Sequence, residues 1–323
     1  MKIKEGILFT VFSLIALSPG TAWAVEDSEY GRYLFKQGKD QSAVFELERS
    51  LFFHPNAPDS RSLRLLLGLA YARTGQYSTA LFVLGGLVQE LEQGGAGVER
   101  QEREQEGAGG EYRGLEQGDS GVERQMLLCE SAFHILNIHF RQGDTHDFFP
   151  QRERFSHLCP EPNQELEHSV QRMAVSLRIN GFDWEGALRE LDAASTEFSA
   201  SLREEIQPLV GYRGKSPVIG GILSIVPGLG HVYAGRPGDG LRSLLINCSF
   251  FSLSYFSFKE EMPVLGAVFG LIELFLYSSN IYGGVNAVLQ ENARFLLSRR
   301  DDLLKRIPAP PLDVITLRKE LDL

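Results

Sequence analysis

Residues 68–87, GLAYARTGQYSTALFVLGGL, decide the fold, because small and large residues recur there at the spacing of two packed helices joined by a tight turn. Gly75 permits the left-handed backbone conformation in which many helices end, so it marks the turn. Gly68 and Ala80 are small where the two helices would cross closely, and Tyr71 is large enough to fill the seam between them. The stretch therefore predicts a helix–turn–helix unit.

The same pattern occurs once more, nearer the N-terminus. Gly31, Gly38 and Ala43 lie at matching offsets, and the turn glycines Gly38 and Gly75 are 37 residues apart (75 minus 38). This arrangement resembles the tetratricopeptide repeat, whose usual period is about 34 residues. The resemblance implies an α-solenoid over residues 25–210, whose groove binds a protein or peptide partner. A plain helical bundle is the alternative.

Later copies of the pattern are less regular. Residues 126–143 predict an apolar helix that ends at a glycine. Residues 164–196 predict another helical pair with its turn around Asn180 and Gly181, although Ala187 then falls one residue late for the repeat.

Residues 91–125 differ in composition from the repeats around them. They consist mainly of Gly, Glu, Gln and Arg, and LEQGGAGVERQ at 91–101 recurs as LEQGDSGVERQ at 115–125. Such a segment lacks the apolar surface that would offset the entropy lost on ordering it. We expect a disordered insert that projects from the repeats.

The N-terminal residues 1–24 have the organisation of a bacterial secretory signal peptide. Lys2 and Lys4 precede an apolar run over residues 7–17, and a small-residue pattern ends at Ala24. We predict cleavage after Ala24. The alternative is an uncleaved anchor, although the apolar run is much shorter than the roughly 20 residues of a membrane span.

The cysteine content allows one disulfide. The chain has 3 cysteines, and an exported protein lies in an oxidising compartment. Cys129 and Cys159 flank a predicted helical hairpin, so a bridge between them is geometrically feasible. Two buried free thiols are the alternative. Cys248 lies in an apolar stretch and would be left over.

The net charge excludes one class of partner. There are 42 acidic and 32 basic residues, which gives a formal charge of -10. Nucleic-acid binding depends on clustered Lys and Arg that contact phosphates. We therefore expect no nucleic-acid partner.

From residue 211 the chain becomes rich in Gly, Ser, Phe, Leu and Tyr, with few charges. The stretches 240–258 and 262–282 are each about 20 residues long, enough to cross a hydrocarbon core. They predict a membrane hairpin domain over residues 211–295, with membrane lipid around it, followed by a charged, exposed C-terminal tail over residues 296–323. Two buried helices of a soluble domain are the alternative.

A short glycine-rich motif precedes this hairpin. Its residues are Pro227, Gly228, Gly230, Tyr233 and Gly235. They resemble the P-G-x-G-x-x-Y-x-G signature of small bacterial membrane domains related to the two-transmembrane-helix family, and Tyr282, Asn286 and Asn292 also suit that family. His231 departs from the glutamine often found at its position. The resemblance implies a short half-inserted helix that Pro227 would end, with Tyr233 at the membrane interface.

Two polar residues lie inside the predicted hairpin. Glu273 and Asn247 are each 13 residues from Glu260 at the turn, so we expect them at similar depth and within hydrogen-bonding reach. An ionisable residue in a membrane span is often functional. Glu273 would lock the hairpin or a homo-oligomer formed through it, or alternatively line a path in a transport or channel assembly.

No motif for catalysis, a metal or a cofactor is present in the sequence. The chain lacks H-E-x-x-H, and His134 and His139 are five residues apart, so on a helix they point about 140° away from each other. We therefore predict no enzyme and no cofactor. The sequence predicts an exported, inner-membrane scaffold whose repeats lie in the periplasm and bind a protein or peptide.

Overall fold

The structure of this chain is a computed structural model. It describes residues 21–106, 121–162, 164–193 and 197–313. Within these ranges every regular element is helical, so the prediction of an all-α fold class is confirmed for the described part of the chain. Most of the predicted signal peptide, residues 1–20, lies outside the described residues, and helix begins at Thr21.

The described ranges contain thirteen α-helices. In chain order they are α1 (Thr21–Lys36), α2 (Asp40–Phe53), α3 (Ser60–Arg73), α4 (Tyr77–Glu106), α5 (Gly121–Gln142), α6 (Thr145–Leu158), α7 (Gln164–Asn180), α8 (Trp184–Asp192), α9 (Glu197–Ile206), α10 (Pro217–Leu223), α11 (Leu229–Ala234), α12 (Pro237–Lys259) and α13 (Pro263–Lys305). A short 3₁₀-helix, Gln207–Leu209, follows α9.

The contacts between residues divide the chain into two compact units. Unit 1 comprises residues 1–177 and 309–323, and unit 2 comprises residues 178–308. The boundary falls within α7. It therefore differs from the predicted boundary between residues 25–210 and 211–295, because most of α7 belongs to unit 1, whereas α8 and α9 belong to the unit that holds the long apolar helices.

Four turns between paired helices share one backbone geometry. At the first turn, Gly38 N donates to Phe35 O and Lys39 N donates to Leu34 O, both at 3.0 Å. These two bonds define the Schellman motif, in which the first donor residue has a positive φ. The residues at that position, with their φ angles, are Gly38 (68°), Gly75 (79°), Gly143 (68°) and Phe182 (58°).

Counting from these turn residues restores the register of the repeat. The residue five positions after each turn is 0% exposed, and these residues are Ala43, Ala80, Phe148 and Ala187. The fourth pair turns at Phe182 and not at Gly181, so Ala187 is in register and the predicted delay of one residue disappears. The left-handed conformation costs a non-glycine residue about 1–2 kcal/mol. Contacts hold the Phe182 ring, whose centroid lies 5.8 Å from that of Trp184 and 5.4 Å from the Arg300 guanidinium carbon.

Two glycines in the first two pairs allow a leucine of the following helix to approach closely. A Cβ at Gly68 would lie 2.6 Å from Leu84 Cδ2, and a Cβ at Gly31 would lie 2.9 Å from Leu47 Cδ2. Both pairs are separated by 16 residues in the chain (84 minus 68, 47 minus 31). The first two helical pairs therefore use the same packing contact.

Unit 1 is built on a leucine-rich core. Each of α1 to α5 packs on the next helix along the chain, and the first helices of successive pairs, α1 with α3 and α3 with α5, also touch. Phe133, Phe148 and Met173 belong to a second buried cluster that joins α5, α6 and α7. Cys129 and Cys159 form a disulfide with their Cα atoms 5.5 Å apart, which ties α5 to the residue that follows α6.

The structure differs from two predicted boundaries. The predicted disordered insert, 91–125, is helical over 91–106 and 121–125, because α4 continues through the fully buried Leu91 and α5 begins at Gly121. Residues 107–120 lie outside the described residues. The predicted exposed tail, 296–323, begins with the C-terminal part of α13, which ends at Lys305, but residues 310–312 differ from the prediction because they bond to α3 and α5. Residues 314–323 are not described.

The long helices of unit 2 pack along each other. α12 and α13 are joined by a turn at residues 260–262, in which Glu261 has a φ of 59°. The short helices α10 and α11 pack on each other and on α13, and α11 also packs on α12. The predicted stretches 240–258 and 262–282 thus lie on α12 and α13.

Candidate functional site

Residues 216–235 of unit 2 form a loop whose two ends meet, and we call them the re-entrant segment. α10 leads away from Lys215, residues 224–228 turn the chain, and α11 leads back. Lys215 Nζ donates to Tyr233 O at 3.0 Å, and Ser216 N donates to the Tyr233 hydroxyl at 3.2 Å. The first and last residues of the segment therefore lie next to each other.

Asn292 of α13 binds Lys215, the residue directly before the re-entrant segment. Its Oδ1 accepts from Lys215 N at 2.9 Å, and its Nδ2 donates to Lys215 O at 2.8 Å. One side chain thus binds both backbone groups of a single residue. Asn292 is also one of the residues that suit the resemblance to the two-transmembrane-helix family.

A second asparagine of α13, Asn280, fixes the far end of the re-entrant segment. It is 5% exposed, its Nδ2 donates to Ser224 O at 2.6 Å, and its Oδ1 accepts from Gly228 N at 3.0 Å. The Ser243 hydroxyl of α12 donates to the same Oδ1 at 2.7 Å. Asn280 therefore joins the re-entrant segment, α12 and α13 at one buried point.

Glycines of the motif and of α13 allow the re-entrant segment to pack closely against the long helices. Gly228 has a φ of 90°, and a Cβ there would lie 2.2 Å from Gly240 O. A Cβ at Gly230 or at Gly284 would lie 1.9 Å from Ser224 Oγ. Pro227 does not end α10 as predicted, because that helix ends at Leu223.

The two polar residues predicted inside the hairpin do not bond to each other. Asn247 Nδ2 donates to Ser243 O in its own helix at 2.8 Å. Within the described residues, Asn247 Oδ1 and Glu273 Oε2 are buried atoms without a hydrogen-bond partner. The predicted hydrogen bond between Asn247 and Glu273 is therefore wrong, because Asn247 instead bonds back to the preceding turn of its own helix.

The long helices of unit 2 expose most of their large apolar side chains, and most of their buried residues are small or polar. The buried residues of α12 are Gly240, Asn247 and Ser257, and those of α13 are Gly266, Asn280, Gly284, Ala287, Val288 and Leu303. The exposed side chains include Phe251, Tyr255, Leu271, Leu274 and Phe275.

One helix in the described residues, α13, is long and apolar enough to cross a membrane. Only 11% of its most apolar window is buried within the chain. The prediction of two spans therefore holds for one helix by length and composition.

In unit 1, a row of side-chain donors binds a non-helical piece of the chain itself. Arg141 Nη2 donates to Pro310 O at 2.6 Å, Asn137 Nδ2 donates to Pro311 O at 3.0 Å, and Arg73 Nε donates to Leu312 O at 2.6 Å. The donors lie on α3 and α5, which are the first helices of successive pairs. We call residues 309–313 the strap and the three donors the donor row.

Neighbouring groups fix the donors in place. Arg141 Nε donates to Asn137 Oδ1 at 3.1 Å, which orients the amide of the fully buried Asn137. Arg73 pairs with Asp40 at 3.2 Å, and its guanidinium carbon lies 3.9 Å from the centroid of the Phe35 ring. The donor row is therefore held within unit 1 by contacts that do not involve the strap.

Tyr71 lies in α3, two residues before Arg73. Its hydroxyl donates to a Glu48 carboxylate oxygen across to α2. Burial, followed by this hydrogen bond to a carboxylate, raises the pKa of Tyr71 to about 12. Tyr71 thus fills the helix seam and also makes a polar contact there.

One group of residues has the composition of a cation site. Ligand atoms of His139, Asp144 and Asp147 lie within 4.8 Å of one another, and the hydrogen bond between His146 and Asp147 raises the pKa of His146 and lowers that of Asp147.

A structural role accounts for this arrangement. Asp144 caps α6 by accepting from His146 N and Asp147 N. At the fourth turn, Arg178 and Asp183 occupy the positions of His139 and Asp144 and form an ion pair at 2.9 Å. We therefore assign the cluster to the turn and not to a metal.

Sequence reasoning missed Asn280 and the donor row. A polar residue inside an apolar helix is the signal that could have found Asn280 and Asn137, since such residues need a partner when buried. Arg73 and Arg141 each lie two residues before a turn glycine, but this spacing by itself does not indicate what they bind.

Comparison with known proteins found no match. No protein-family model, curated protein or solved structure is similar to the chain.

Proposed function

We propose that this protein is a membrane-anchored helical-repeat scaffold, in which the long helices α12 and α13 of unit 2 lie in the bacterial inner membrane and unit 1 binds a protein or peptide partner. The observation that carries the proposal is that α12 and α13 of unit 2 expose most of their large apolar side chains. In water, exposed apolar side chains on this scale would be unfavourable, at about 25 cal/mol for each Å².

A lipid environment suits this distribution of side chains. Helices in a membrane associate through small residues that allow close approach and through interhelical hydrogen bonds. Gly240, Gly284 and Asn280 supply those features in unit 2. A soluble helical hairpin would instead bury most of its leucines, as unit 1 does with Leu47, Leu66 and Leu84.

The dimensions of unit 2 also suit a bilayer. Asn280 and Asn292 are 12 residues apart on α13, or roughly 18 Å at about 1.5 Å per residue. The re-entrant segment, fixed at both points, would thus reach about half-way through a hydrocarbon core of about 30 Å. From Pro263 to Asn292, α13 has roughly 43 Å of helix, enough to cross the core and reach both interfaces.

Two features favour the periplasm as the location of unit 1. The N-terminal sequence resembles a signal peptide, and the Cys129–Cys159 disulfide suits an oxidising compartment. The donor row favours a binding role, because its side chains bond to main-chain carbonyls, which every extended polypeptide offers. No catalytic role is proposed.

Carbonate extraction of bacterial membranes, combined with protease treatment of spheroplasts, tests the location. We expect the chain to remain in the inner-membrane pellet and unit 1 to be digested from outside. Release of the chain into the soluble fraction would refute the membrane anchor. Protection of unit 1 in intact spheroplasts, with digestion only after lysis, would place it in the cytoplasm instead.

A matched pair of substitutions tests whether the apolar surface of α13 retains the chain in the membrane. Phe275 is 75% exposed on α13 and Phe82 is 83% exposed on α4, so each can be replaced by arginine with little steric effect. An arginine in the middle of a membrane helix costs about 2.5–3.5 kcal/mol on insertion scales. We expect Phe275→Arg to reduce the inserted fraction and Phe82→Arg to leave it unchanged. Equal insertion of both variants would contradict the proposal.

A further inference from the structure

The strap makes the contacts that a bound peptide would make. The carbonyls of three consecutive residues, 310 to 312, each accept a hydrogen bond from the donor row. Pro310 and Pro311 have no N–H and favour an extended backbone, so they lose little entropy when they bind in this form. The donor row therefore binds the main-chain carbonyls of a proline-containing segment.

Two side chains of the strap add specificity. Leu312 packs against the leucine core of unit 1, and the carboxylate of Asp313 lies 3.1 Å from Arg73 Nη2. A segment that fits the same place would carry an apolar residue followed directly by an acidic one. Arg73 would then bond to a carbonyl and pair with the carboxylate, as it does with the strap.

The donor row also has a reason to stay occupied. Asn137 is fully buried when the strap covers it, and a segment that covered it without offering an acceptor would leave a buried amide unpaired, which costs about 1–3 kcal/mol. Whatever lies against the row supplies the missing acceptor. The strap does so within the same chain, without any partner.

We propose that the strap is an intramolecular ligand that competes with the partner for the donor row. The partner segment is extended, contains proline and presents an apolar residue followed by an acidic residue. This inference rests on the proposed peptide-binding function and adds its regulation, since a partner binds only by displacing residues 309–313.

Because the strap is covalently linked to unit 1, its effective concentration determines how much it weakens the binding of an external peptide. A segment joined by a short linker is present at an effective concentration of about 1 mM. If the free segment binds with a Kd of about 100 μM, the tethered strap weakens the binding of an external peptide about tenfold.

The experiment measures fluorescence anisotropy of a fluorescein-labelled peptide with the sequence of residues 308–313, PAPPLD. It compares the full chain with a chain that ends at Pro308, both in detergent micelles. We expect the shortened chain to bind the peptide about tenfold more tightly. Equal affinity of the two chains would overturn the competition and leave peptide binding intact. No binding by either chain would overturn the peptide-binding function itself.

Point substitutions keep the test independent of the truncation. Leu312→Asp in the full chain should release the strap and reproduce most of the tenfold gain, whereas Val122→Asp, at an exposed position of α5, should not. In the shortened chain, Arg141→Ala should weaken peptide binding at least tenfold by removing a charged donor. Arg154→Ala removes an arginine that pairs with Glu92 and should have no effect. Unchanged binding by the Arg141→Ala chain would mean that the peptide binds elsewhere and would overturn the inference.

Discussion

Replacing Asn280 by alanine tests whether one side chain holds the re-entrant segment in place. The substitution removes the bonds to Ser224 O, Gly228 N and the Ser243 hydroxyl. Each bond contributes about 0.5–1.5 kcal/mol, and about 0.6 kcal/mol is the average measured between membrane helices. The sum is about 2–4 kcal/mol in the free energy of detaching the segment.

Hydrogen–deuterium exchange in detergent micelles measures this free energy directly. A loss of about 2–4 kcal/mol increases the exchange rate of protected amides about 30- to 700-fold, because every 1.4 kcal/mol is about tenfold. The increase should be confined to peptides from residues 216–235. Exchange in unit 1 serves as an internal reference.

Ser278→Ala is the matched control for Asn280→Ala. Ser278 is exposed on the same helix, and its hydroxyl donates to Leu274 O of that helix at 2.8 Å. We expect exchange in residues 216–235 to change less than about threefold, since no contact to the segment is lost. If Asn280→Ala exchanges as slowly as this control, the reasoning about Asn280 is refuted.

Two further predictions concern the repeats of unit 1. Gly68→Ala should lower the free energy of unfolding by about 1–3 kcal/mol, because its Cβ would overlap Leu84, whereas Gly86→Ala, in open space on a helix, should raise it by up to about 1 kcal/mol. Urea unfolding followed by circular dichroism distinguishes the two, and equal effects would contradict the close crossing. Tyr71 has a pKa of about 12 when folded and about 10 when unfolded, so its contribution to stability is complete below pH 10 and is lost as the pH rises towards 12. Tyr71→Phe should therefore flatten the fall in stability between pH 10 and 12, and an unchanged slope would show that Tyr71 does not cause it.

The sequence determined the helical pairs and the apolar character of the C-terminal half. Gly38 and Gly75 indicate turns because few other residues adopt a positive φ easily, and the small residues Gly31 and Gly68 indicate where helices cross. These features depend on local backbone preference and on side-chain size, which are properties of each residue. The turn at Phe182 was missed for the same reason, since a phenylalanine has no such preference and is held there by Trp184 and Arg300.

Only the tertiary structure decided which distant residues meet. Asn280 and Ser224 are 56 residues apart, and Asn137 and Pro311 are 174 residues apart. Their hydrogen bonds depend on how whole helices pack, and the periodic pattern of the sequence fixes only which face of a helix is buried. The donor row and its occupation by the strap follow from such packing. The contact between the two ends of the re-entrant segment follows from it as well.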